Sequence, residues 1–111
     1  MAFAPAARGA WARHRPAVIV PASLEDLHGP VDGLLRLPLH LQWSGRREYD
    51  LSDDLDLVWL YSRAIREAST LEDLTEILHG PSLVRLWPEL RLPAEHVRAW
   101  QAAFPQLRPA P

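Results

Sequence analysis

The chain has 111 residues, of which 48% are apolar and 23% charged, with a formal charge of -2. These values fit one globular domain and exclude a second large core, a wholly disordered acidic chain and a strong net field toward nucleic acid or lipid. Cysteine is absent, which excludes disulfides, thiolate metal sites and cysteine nucleophiles. All twelve basic residues are arginine, so every fixed positive group is a planar guanidinium suited to bidentate contacts and stacking.

Residues 1–15 carry Arg8, Arg13 and Arg15 and no acid, and read as a flexible Arg/Ala-rich N-terminus. They lack a basic region followed by a sustained apolar stretch, so they do not read as a signal peptide. Residues 16–105 read as a single compact domain and 106–111 as a tail. No apolar run reaches the length of a membrane span, and the expected compartment is the cytoplasm.

Ala17-Val18-Ile19-Val20 is β-branched between Pro16 and Pro21, which predicts a short edge strand. Leu35, Leu37, Leu39, Leu41 and Trp43 share parity, predicting a strand with one buried face, broken or kinked at Pro38. Ser44-Gly45-Arg46-Arg47 is a turn, and Glu48 to Leu51 a short extended return. From Ser52 the period changes. Leu57, Leu60, Tyr61, Ala64, Ile65 and Ala68 recur at three and four residues, an amphipathic helix capped by Ser52 with acids in its first turn. Thr70 and Asp73 form an imperfect capping box for a second helix, with Leu71, Leu74 and Leu78 inward and Gly80-Pro81 as its stop. Ser82 to Trp87 predicts a short helix ended by Pro88. Pro93 opens a last helix presenting Val97, Trp100, Ala103 and Phe104, and Pro105 ends it. The fold expected is α+β: a small antiparallel sheet or hairpin followed by three or four packed helices.

Residues 23–30 (Ser-Leu-Glu-Asp-Leu-His-Gly-Pro) are echoed by Thr70-Leu-Glu-Asp-Leu and His79-Gly80-Pro81. Reuse of cap-and-turn chemistry explains this better than duplication.

No enzyme chemistry emerges. The five histidines lack metal-ligand spacing. Asp50, Ser52, Asp54 and Asp56 alternate like a calcium loop, but Leu55 replaces the required glycine and Tyr61 the terminal glutamate. No nucleophile elbow or glycine-rich phosphate cradle is present, and no cofactor is implied. What remains is a surface for a partner. Residues 50–76 carry eight acids against two arginines, a balance of -6. Asp53, Asp54 and Asp56 are the candidate acidic face for a basic partner. Trp59 with Arg63, and Arg85 with Trp87, are candidate aromatic/Arg patches. The alternative is a DNA-binding regulator, acting as a homodimer, through Arg46, Arg47 and Arg98.

Leu41-Gln42-Trp43-Ser44, Tyr49-Asp50-Leu51, the run Leu83-Val84-Arg85-Leu86-Trp87-Pro88-Glu89-Leu90, Leu92-Pro93 and Val97-Arg98-Ala99-Trp100 together resemble a family of small actinobacterial proteins of unassigned activity. The resemblance covers residues 18 to 107. Such proteins resemble partners encoded beside nucleotidyltransferase-like toxins of the abortive-infection type. The resemblance implies an antitoxin or accessory subunit and supplies no catalytic residue. Where some relatives have Asn-Gly before the later motif, this chain has His79-Gly80.

Overall fold

The computed structural model describes residues 18–109. The predicted N-terminal arm, with Pro16 and Ala17, lies outside them. Two three-residue strands, β1 (Leu34–Arg36) and β2 (Glu48–Asp50), form an antiparallel hairpin with Leu35 opposite Tyr49. Four helices follow: α1 (Asp54–Glu67), α2 (Leu71–Thr75), α3 (Gly80–Leu86) and α4 (Ala94–Ala103). The α+β architecture expected from the sequence is what forms.

The hairpin extends past its strands. Leu37 donates its N–H to the Arg47 carbonyl, and Leu51 donates to that of Gly33. The Arg47 guanidinium donates twice to the Leu37 carbonyl, through Nε at 3.1 Å and Nη2 at 2.9 Å. Gly45, with φ of 76°, supplies the left-handed turn position at the open end. Two strand predictions are corrected. Val18 to Val20 form no strand; Ile19 and Val20 instead pack their side chains, half-buried, on the core. The strand from Leu34 ends at Arg36, because Pro38 cannot donate and its carbonyl accepts the N–H groups of Leu41 and Gln42 in a turn. Leu37 and Leu41 are buried, while Leu39 and Trp43 are left in solvent.

β2 packs on α1, and α1 packs on α2 and α3. The inward stripe of α1 is the predicted one, Leu57, Leu60, Tyr61, Ala64 and Ile65, all buried. Its cap is Asp53, which accepts the Leu55 N–H, rather than Ser52. Ser52 instead donates both its N–H and its hydroxyl to Asp50 Oδ1. The capping box at α2 forms in full: Thr70 accepts from the Asp73 N–H, and the Asp73 carboxylate accepts from Thr70 and Ser69.

The two echoed segments meet. His28 and His79 form an isolated antiparallel bridge. Gly29 donates to the Leu78 carbonyl at 2.7 Å, and Gly80 to that of Leu27 at 3.2 Å. A Cβ on Gly29 would lie 2.2 Å from the Ile77 carbonyl oxygen, and one on Gly80 2.6 Å from that of Leu24. Each His-Gly-Pro glycine thus presses on the backbone of the other segment. This changes the reading of Gly80-Pro81, which opens α3 with Pro81 in its first turn and does not end α2. α2 stops at Thr75, whose carbonyl accepts the His28 N–H.

Trp100 is wholly buried, its ring 6.1 Å from that of Trp87 and 5.9 Å from that of Phe104. Packing continues beyond residue 105, into the segment predicted as a tail. Leu107 is buried, and Arg108 donates to the carbonyls of Gln101 and Ala102 at the end of α4, satisfying groups that a helix terminus leaves open. Among the described residues no helix is long and apolar enough to cross a membrane.

Candidate functional site

The outward face of α1 and the loop between the strands build the site. Leu55, Trp59 and Arg63 recur at four-residue intervals and so stack on one helix face. Arg66 follows one turn on. Leu55 is 65% and Trp59 49% exposed. The hairpin brings Gln42 and Arg46 of its loop and Tyr49 of β2 beside them. Gln42, Arg46, Tyr49, Trp59, Arg63 and Arg66 line a pocket of about 350 Å3. Trp43, 70% exposed, stands on the same loop.

The pocket is held from behind by polar contacts. Asp56 is buried at 6% exposure. Its Oδ2 accepts the Asp50 N–H at 2.8 Å and also pairs with the Arg46 guanidinium. Arg46 further donates from Nε to the Glu48 carbonyl and lies 5.0 Å over the Tyr49 ring. The Tyr49 hydroxyl donates to Gln42 Oε1 at 2.6 Å. Arg63 meets Glu67 only at 3.9 Å, and Arg66 donates to the Arg91 carbonyl without a carboxylate partner. Toward the opening the lining is therefore rich in donors, and its positive charge is only partly compensated.

The predicted acidic face is not assembled as expected. Asp53 caps its own helix. Asp54 accepts from Arg85 at 2.7 Å, and the bonded carboxylate holds the Arg85 pKa above its ordinary value. Asp56 is internal, so it is removed from any contact surface. The second aromatic/Arg patch also dissolves: Trp87 is buried against Trp100, and only Arg85 stays outside. Trp59 and Arg63 are brought together as predicted. Of the basic alternative, Arg47 closes the hairpin and Arg46 backs onto Asp56; Arg98 is exposed on α4 and does not line the pocket.

Sequence reasoning missed three lining residues. Arg66 had a signal, being three residues after Arg63 on the same helical face. Gln42 and Tyr49 had none, because only the hairpin register carries them to α1. Among the described residues no three His, Cys, Asp or Glu side chains converge as metal ligands. No family model matches the sequence, and neither the curated proteins nor the solved structures contain a match.

Proposed function

We propose that this chain is a non-catalytic protein-binding module whose contact surface is the outer stripe of α1, with Trp43 beside it on the hairpin loop. One observation carries the reading: Trp59 stands half exposed between exposed Leu55 and partly exposed Arg63 on a single helix face. Trp and Arg are the side chains enriched at interface hot spots, where an apolar anchor and a bidentate donor act together. The charged groups lining the pocket are guanidiniums, which stay protonated and donate hydrogen bonds rather than exchanging protons. That chemistry supports binding over turnover.

Together with the family resemblance, the reading extends to an antitoxin or accessory subunit that binds and restrains a nucleotidyltransferase-like toxin. The restraint then runs through indole and guanidinium contacts. It does not run through the acidic face expected at the start of α1, since Asp56 is buried and Asp54 is paired.

The test is purification of the untagged native complex from cells carrying the wild-type chain, Trp59→Ala or Arg63→Glu. The expected result is a stoichiometric protein partner present with wild type and lost with both variants, and growth inhibition by that partner when it is expressed alone. A partner retained equally by both folded variants overturns the proposed surface, and the absence of any protein partner overturns the binding-module reading.

A further inference from the structure

The pocket beside Trp59 has the chemistry of a small-ligand site. Its volume, about 350 Å3, falls within the range of ligand pockets. Three guanidiniums line it and no carboxylate does. The acceptor oxygen of Gln42 is taken by the Tyr49 hydroxyl, which leaves its amide N–H groups as the available function. An occupant therefore has to bring acceptors and negative charge. Arg46 is compensated by Asp56 from behind. Arg63 is loosely paired at 3.9 Å, and Arg66 has only a backbone carbonyl. Two guanidiniums with charge to spare match a dianion better than a single carboxylate. A phosphate monoester carries between about -1.5 and -2 at neutral pH, and arginine forks fit its oxygens. The half-exposed indole of Trp59 supplies an aromatic wall on which a flat ring can stack.

A long polyanion fits less well. Residues 18–109 carry nine arginines against fourteen acids, a formal -5. Glu48, Asp53 and Asp54 are exposed on β2 and at the start of α1, with Asp54 paired to Arg85. A long polyanion therefore meets a net negative charge over the described residues.

We propose that the Trp59–Arg46–Arg63–Arg66 pocket binds a small phosphate monoester carried on a planar ring, the phosphate held by Arg63 and Arg66 and the ring against Trp59. The site is independent of the partner reading, although a ligand there and a partner on Trp59 exclude one another.

Calorimetric titration of the full chain with AMP and phenyl phosphate tests this, with adenosine, benzoate, inorganic phosphate and an oligonucleotide as controls. Both ring phosphates saturate the site. Adenosine does not, and benzoate and inorganic phosphate bind more weakly. Arg63→Gln and Arg66→Gln each weaken phenyl phosphate binding by about tenfold, while Arg63→Lys retains part of it. Trp59→Ala reduces phenyl phosphate to the affinity of inorganic phosphate. Binding weakens as the pH falls through about 6, where the phosphate gains its second proton. Absence of saturation by either ring phosphate overturns the proposal. So does binding that is unchanged in the folded Arg66→Gln chain, benzoate binding as tight as phenyl phosphate, or an oligonucleotide preferred over AMP. None of these outcomes depends on a protein partner being found.

Discussion

His96 sits in the core at 4% exposure with neither ring nitrogen hydrogen-bonded. Burial pushes its pKa down; Glu95 and Glu67 pull it up, and Arg66 opposes them. A histidine whose folded pKa is depressed resists the proton that the unfolded chain accepts near pH 6.5. The stability tied to its neutral form is complete above that pH and is lost as the pH falls through the depressed folded value. Urea unfolding between pH 7.5 and 5.5 should therefore show a declining midpoint that His96→Leu flattens. At pH 7 the same variant should gain about 1 kcal/mol by removing buried, unpaired polar atoms. A midpoint that declines identically in both proteins contradicts this assignment. At the same scale, Trp59 and Arg63 were legible because an i, i+4 pair needs only the helix. Asp56 was not, because its burial depends on an N–H from Asp50 and a guanidinium from Arg46, both delivered by the hairpin.

Among the elements, α1 and the capping box at α2 were readable from periodicity and cap chemistry, both of which are local. Thr70→Ala removes the hydroxyl that accepts the Asp73 N–H and should cost about 1 kcal/mol in thermal or urea unfolding. The end of α2 was not readable. Gly-Pro stops one helix and starts another with equal ease, and the choice was made by residues 27–29, which take up the carbonyls of Thr75 and Leu78. The echoed motifs thus matter as two halves of one contact. Gly29→Ala and Gly80→Ala each force a methyl onto a backbone carbonyl, and each should destabilise by about 2 kcal/mol or more. Denaturant midpoints equal to wild type in both variants would count against the close approach of these segments. The lost strand at Val18–Val20 and the shortened β1 have different causes. Ile19 and Val20 reach the core without a ladder of backbone hydrogen bonds, whereas the turn at Pro38 ends β1 and leaves the alternating Leu39 and Trp43 in solvent.

For the whole molecule, a block charge of -6 over residues 50–76 suggested an acidic surface. The fold redistributes that charge. Asp53, Asp54 and Asp56 stand at the N-terminal end of α1, where they cap it, pair or are buried; Arg63 and Arg66 stand one and two turns beyond Trp59 and meet the Arg46 loop. Summing charge along the chain cannot separate the two ends of one helix, and for that reason the sign of the candidate surface came out opposite to the block sum. The partly exposed guanidiniums of Arg63 and Arg66 make association sensitive to ionic strength, because screening acts on charges that reach water. Partner affinity should fall with added salt, and Arg66→Gln should make that fall shallower.

Hydrogen exchange of the chain, alone and in its purified native complex, examines the binding surface most directly. Slowed exchange confined to the loop between β1 and β2 and to residues 55–66 of α1 is the predicted result. Protection confined to α2 and α4, with the amides around Trp59 unchanged, contradicts it.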